Sequence, residues 1–124
     1  MHVIVNRNSL LEVLGIASSI ASSRTTKDIL KCVRLSATGD NLVISATDLE
    51  VGMRVDVLQV EVKAKGEALV PADKLMQIAR ESLDETFAIE TKEEVCHIRG
   101  QDSHFEIFGQ DPKEFPPVPG RAGQ

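Results

Sequence analysis

Residues 66–81 read Gly66-Glu67-Ala68-Leu69-Val70-Pro71-Ala72-Asp73-Lys74-Leu75-Met76-Gln77-Ile78-Ala79-Arg80-Glu81. Ala68 to Val70 is a short extended piece after the interruption at Gly66. Pro71 then marks a helix entrance, because proline is tolerated at a first helical turn, where its missing N–H has no partner to lose. Leu75, Ile78 and Ala79 share one helical face with Met76 at its margin, while Lys74 and Arg80 fall elsewhere. After Asp84-Glu85 come three strand-like pieces, Phe87/Ile89, Val95 to Arg99 and His104 to Phe108. Lys92-Glu93-Glu94 and Gly100-Gln101-Asp102 supply the turns between them.

The same order precedes this half. His2 to Val5 reads as a strand with Val3 and Val5 on one face. Ser9, followed three residues later by Glu12, matches a capping box. Leu10, Val13, Leu14, Ala17, Ile20 and Ala21 then form one apolar helical stripe, which Ser22-Ser23 is expected to end. Val33/Leu35/Ala37, a turn at Thr38-Gly39-Asp40-Asn41, Leu42/Ile44/Ala46 and Val51/Met53/Val55/Val57 alternate as strands. Val60, Val62 and Ala64 continue the last pattern past a turn or bulge. The apolar helix faces begin at Leu10 and Leu75, 65 residues apart. The expected fold is α+β: a duplicated β-α-β-β-β unit with two helices packed on antiparallel sheets, each half too short to cover its sheet alone.

The chain has 124 residues, 42% apolar and 27% charged, which suits one globular domain with a sizeable core and excludes a disordered chain. With four Phe and no Tyr or Trp, the core falls to Val, Leu, Ile, Ala and Met. The net charge of -5 excludes a whole-chain basic footprint for nucleic acid. Charge is uneven, however: residues 7–34 hold Arg7, Arg24, Lys27, Lys31 and Arg34 against Glu12 and Asp28. Cys32 and Cys96 lie in alternating runs and read as buried thiols. With no long apolar run and no signal-like N-terminus, the expected location is cytoplasmic. The run Phe115-Pro116-Pro117-Val118-Pro119-Gly120 reads as a linker rather than a core strand.

Motifs for covalent chemistry are missing: no glycine-rich phosphate loop, HExxH, EF-hand, nucleophile elbow or zinc-ligand spacing occurs. His97 adjoins Cys96, but His2, His97 and His104 form no ligand or nucleophile motif with the cysteines, and packing or surface roles are expected. Asp48 and Glu50 could pair as carboxylates, yet one pair does not make a glycosidase. The sequence therefore designates no catalytic residue, no cofactor and no metal. Arg7, Arg24 and Lys27 around the first helix, with Lys74 and Arg80 on the second, could share a surface that attracts a phosphate backbone without reading bases. Solvated charge on exposed helices is the competing reading. The last strand also reads two ways, as a core strand or as a sheet edge inviting another chain, with Phe105 and Ile107 on one face.

Over residues 1–119 the chain resembles the N-terminal domain of the bacterial DNA polymerase III beta subunit, the replicative sliding clamp. The resemblance is carried by Leu10-Leu11, Ile29-Leu30, Thr47-Asp48-Leu49-Glu50, Val70-Pro71-Ala72-Asp73-Lys74 and Phe115-Pro116, in that order and spacing. It implies the DNA-clamp fold in residues 1–119, with 120–124 as a tail or the start of an inter-domain linker and the later clamp domains absent. It implies a noncatalytic processivity factor of the DNA polymerase III holoenzyme: a homodimeric ring with sheets outside and helices around double-stranded DNA, bound without sequence preference. Further implied partners are a second beta protomer, a clamp loader, and the polymerase III alpha subunit and other clamp-binding proteins, these last mainly through later domains. No membrane is implied.

By resemblance, Arg24 matches a basic position in the channel-facing loop, Lys74 a second one, and Lys27 and Arg80 join them as DNA-facing candidates. Asp73 replaces a residue often basic in the family, and Thr25-Thr26-Lys27-Asp28 replaces a proline-rich loop. Phe105 and Ile107, with His104 as a polar neighbour, are the subunit-interface candidates. A noncatalytic protein-interaction domain without ring assembly is the alternative, and a small enzyme the third reading.

Overall fold

The computed structural model describes residues 1–21 and 28–116. Its strands are β1 (His2–Asn6), β2 (Cys32–Thr38), β3 (Asn41–Thr47), β4 (Gly52–Val57), β5 (Val60–Ala64), β6 (Gly66–Pro71), β7 (Thr86–Lys92), β8 (Val95–Arg99) and β9 (His104–Phe108). Helix α1 (Arg7–Ile20) follows β1, and α2 (Ala72–Glu81) follows β6. The strands form a five-stranded sheet, β5-β1-β7-β8-β9, and a four-stranded sheet, β4-β3-β2-β6, with antiparallel pairing throughout.

The expected duplication is present, and its two halves are interleaved. β1 opens the first unit but pairs with β7 of the second, Val3 opposite Ile89 and Val5 opposite Phe87. β6 opens the second unit but pairs with β2 of the first, Val33 opposite Val70 and Leu35 opposite Ala68. Each sheet therefore contains strands from both halves. One continuous core joins Val3, Val5, Leu10, Leu14, Leu35, Ile44, Leu75 and Ile89. The alternation read from the sequence supplies its inward faces, since successive strand side chains point to opposite sides.

Two local expectations change. The helix start lies earlier than Ser9: Asn6 is the N-cap of α1, and its side-chain oxygen accepts the Ser9 amide at 3.0 Å. Asn6 occupies this place because its extended backbone (φ -72°, ψ 131°) ends β1 and opens the helix at once. The Ser9 hydroxyl instead donates to the Gln59 side-chain oxygen at 3.1 Å. The second change is β5, which does not continue β4. Gln59, at φ 58°, breaks the run, and Val60–Ala64 crosses to pair with β1 in the other sheet. The described part of α1 ends at Ile20, and Ser22-Ser23 lie outside the described residues.

Beyond β9, Gly109 donates to the Glu94 carbonyl at 2.8 Å and Gln110 to the Leu69 carbonyl at 2.9 Å, which carries the chain from one sheet to the other. A side chain at Gly109 would collide with the Leu69 carbonyl. Phe115 then seats beside Cys32 and Leu69, and the Arg34 guanidinium lies 5.4 Å from its ring centroid. Phe115 is thus an anchor at the outset of the proline-rich segment, whose residues 117–124 lie outside the described residues. Among the described residues, no helix is long and apolar enough to cross a membrane.

Both cysteines are buried and free. Burial pushes the Cys96 thiol up to about 12. Burial, reinforced by Asp28 and Asp73, pushes the Cys32 thiol up to about 11.

Two outcomes follow from this packing. Asn6→Ala should lower unfolding stability in urea by about 0.5–2 kcal/mol, whereas Ser9→Ala should cost less than about 0.5 kcal/mol; equal losses would contradict the assigned cap. The native thiols should stay inert to a thiol reagent at neutral pH and react once the chain unfolds. Above the ordinary thiol value of 9.0, the unfolded chain loses these protons first. Their contribution to stability is therefore complete below that pH and is lost as pH rises toward about 11 and 12. A urea midpoint that stayed flat over that range would contradict this.

Candidate nucleic-acid and subunit interfaces

The two helices form one layer. Arg7, at the start of α1, donates to the Ala79 carbonyl near the end of α2 at 3.2 Å. Ser18 and Ala21 at the other end of α1 line a cleft with Ala72 and Asp73 at the start of α2. The helices therefore run antiparallel, side by side. The Arg7 contact supplies a donor and positive charge to one of the last carbonyls of α2, where the helix dipole favours both.

The buried positions of α2 are Ala72, Leu75, Met76 and Ala79. At about 100° per residue, Lys74 and Glu81 then project straight away from the core, and Arg80 lies about 120° round from Lys74. Lys74 and Arg80 are both exposed, on different sides of the outward arc. Across the helices the charges cancel. α1 carries Arg7 and Glu12, while α2 carries Lys74 and Arg80 against Asp73 and Glu81. The helical layer is neutral in a chain of net charge -5, so the excess acid lies elsewhere. Arg24 and Lys27 lie outside the described residues.

The Thr47–Val51 loop uses its polar groups on itself. The Asp48 carboxylate accepts the amides of Glu50 at 3.0 Å and Val51 at 2.8 Å, and the Thr47 hydroxyl donates to the Val51 carbonyl. Those amides, Val51 first, hold the Asp48 carboxyl below its ordinary value. The turn also places Leu49 at φ 82°. Asp48 and Glu50 therefore build a tight turn, and the Asp48 carboxylate is committed to the backbone.

β9 is the outer strand of its sheet. Gly100 donates to the Ser103 carbonyl and Gly109 to the Glu94 carbonyl, which fixes the alternation along the β8–β9 ladder. Phe105 and Ile107 consequently bond to β8, and the backbone N–H and C=O groups of His104, Glu106 and Phe108 point outward. Ile107 differs from the expectation of an exposed apolar edge residue. Paired opposite Cys96, it is 2% exposed and belongs to the core of its own chain. Phe105, 38% exposed, lies at the rim of that face beside Leu83 and Asp102. The side chain most available at the edge is Phe108, 75% exposed on the opposite face. Alternation separates the two faces of β9 in the sequence without saying which one is inward; Ile107 facing Cys96 decides it.

The outward face of β8–β9 also brings together groups that are apart in sequence. His97 Nδ1 lies 3.1 Å from His104 Nε2, with ring centroids 5.3 Å apart, and Glu106 stands directly opposite His97 in the register. The hairpin turn at Gly100–Ser103 was the signal that these positions meet.

Comparison with known proteins agrees with this architecture. Residues 1–119 match the family model of the DNA polymerase III beta subunit, N-terminal domain. The beta sliding clamp of Pseudomonas putida is 34% identical over 121 residues, covering 95% of this chain and 32% of that protein. The DNA polymerase III subunit beta of Pseudomonas aeruginosa has a crystal structure that superposes with a TM-score of 0.88 at 29% identity, covering 95% of this chain and 32% of that one. The Helicobacter pylori beta clamp, solved bound to a DNA ligase peptide, shares the fold with a TM-score of 0.86 at 21% identity, covering 96% of this chain and 33% of that one. The chain thus spans about a third of the length of these relatives. With matching element order, sheet pairing and a family match over residues 1–119, the chain belongs to the family of DNA polymerase III beta subunit N-terminal domains.

Proposed function

We propose that this domain is the first module of a DNA replication processivity factor, a two-protomer ring that encircles duplex DNA and tethers the replicative polymerase in the cytoplasm. The family match over residues 1–119 carries the reading. Such a ring makes and breaks no bond in its partners. A clamp loader opens and places it, and the polymerase III alpha subunit and other clamp-binding proteins dock mainly on later domains. The DNA ligase peptide on the Helicobacter pylori relative supports peptide docking as the mode of partner contact.

Sliding requires retention without grip. Base-specific hydrogen bonds would make the ring pause, whereas phosphate attraction is independent of sequence. A neutral helical layer within an acidic chain suits that demand: the wall facing DNA is not repelled, and scattered cations supply weak contacts. Lys74 and Arg80, with Arg24 and Lys27, are the proposed phosphate contacts.

The proposed subunit contact is the β9 edge. Outward backbone groups at His104, Glu106 and Phe108 offer a ladder for a partner strand. Phe108 and Phe105 supply apolar area, and Ile107 supports the strand from within.

Two measurements test these contacts in the complete protein. Sedimentation should give a two-protomer species, and Phe108→Asp should weaken association by tenfold or more, the loss expected of a buried aromatic anchor. A persistent wild-type monomer would favour a protein-interaction domain without ring assembly. Duplex binding should fall as salt rises, and Lys74→Ala should reduce the log–log slope by about 0.9 for each Lys74 on a phosphate, so by up to about 1.8 in a two-protomer ring; an unchanged slope would remove Lys74 from the phosphate contacts.

A further inference from the structure

The β8–β9 hairpin gathers two imidazoles and a carboxylate on its solvent face. One ring nitrogen from each of His97 and His104 and a Glu106 carboxylate oxygen all lie within 4.8 Å of one another. Register explains the convergence: Glu106 is the direct partner of His97, and His104 stands two residues along β9 on the same face. Cys96, Ile98 and Ile107 fill the other face of these strands, so the backbone beneath the cluster is fixed by the core.

We propose that His97, His104 and Glu106 form a binding site for a borderline divalent cation of the Zn²⁺ class. Two imidazoles and one carboxylate make a donor set that zinc accepts, with a fourth tetrahedral position left for water. Zinc–nitrogen bonds of about 2.0–2.1 Å place two tetrahedral ligand atoms about 3.3 Å apart. The two ring nitrogens are already 3.1 Å apart, so modest ring rotations turn both lone pairs to one shared point. Glu106, exposed on the edge strand, reaches the same point by side-chain rotation.

Neighbouring charge permits a cation here. Arg99 stands directly opposite His104, but its guanidinium is held by Glu90 at 2.6 Å. Glu90 is also the partner of His97 on β7, so a second carboxylate borders the cluster. Both cysteines are buried and protonated and do not compete for the ion. Magnesium and calcium, which demand oxygen ligands, suit this set poorly. A bound ion would clip β9 to β8 and fix the edge strand; the assignment stands whether or not that edge meets a partner.

Titration of the complete protein with Zn²⁺ against a chromogenic chelator tests the site. His104→Ala should bind one equivalent fewer than wild type, or bind it at least about tenfold more weakly, a loss that outer-sphere changes alone can cause. Glu106→Gln should weaken the same equivalent, and His2→Ala, two strands from His97 beyond Glu90, should retain it. Excess Mg²⁺ should not displace the ion. Should a variant fail to fold, imidazole nitrogen shifts in the wild-type protein decide the matter: Zn²⁺ should move His97 and His104 together and leave His2 in place. Equal zinc binding by wild type and His104→Ala, displacement by Mg²⁺, or unshifted His97 and His104 rings would overturn the proposal.

Discussion

The structure depends on a shared core that neither half can complete alone. Leu10, Leu14 and Ala17 on α1 and Leu75, Met76 and Ala79 on α2 are buried in one cluster with the inward residues of both sheets. β1 and β6 are exchanged between the halves, so separating them would strip β5 and β1 from one sheet and β6 from the other and expose both helices. Burial of apolar area, the largest favourable contribution to folding, therefore belongs to the joined pair. The small side chains Ala17, Ala72 and Ala79 on the buried helix faces leave room for the layer to lie close to the sheets.

This arrangement divides the surface by chemistry. The helical layer presents balanced charge. The β9 edge, by contrast, presents directional backbone groups and two phenylalanines. Under the proposed function, the first surface makes the sliding contacts and the second the lasting ones. The Asp48 turn and the Phe115 anchor serve the fold: each closes hydrogen bonds or apolar area within the chain.

Much of this was legible in the sequence because it is periodic. Val3/Val5, Val33/Leu35/Ala37 and Leu42/Ile44/Ala46 gave strands, and the stripes from Leu10 and Leu75 gave helices. What escaped was set by non-local pairing or by competing polar groups. Ser9 and Glu12 matched a capping box, but Asn6 sits at the strand exit and captures the amide first. The crossing of β5 depends on the left-handed Gln59, a residue with no strong turn signature. Ile107 looked available because alternation labels faces without orienting them. His97 and His104 looked unrelated because seven positions separate them along the chain, while the hairpin brings their rings together.

The pairing of β1 with β7 carries a consequence for synthesis. His2–Asn6 is made before both of its neighbours: β5 follows about sixty residues later and Thr86–Lys92 some eighty residues later. At about 5–20 residues per second, this strand waits several seconds for β5 and longer for β7. The sheet can begin with β1 and β5 but is completed only once β7 joins β1 to β8 and β9. A pause or truncation before residue 86 would leave a nascent segment with an aggregation-prone edge, so sheet closure is a late, largely all-or-none event.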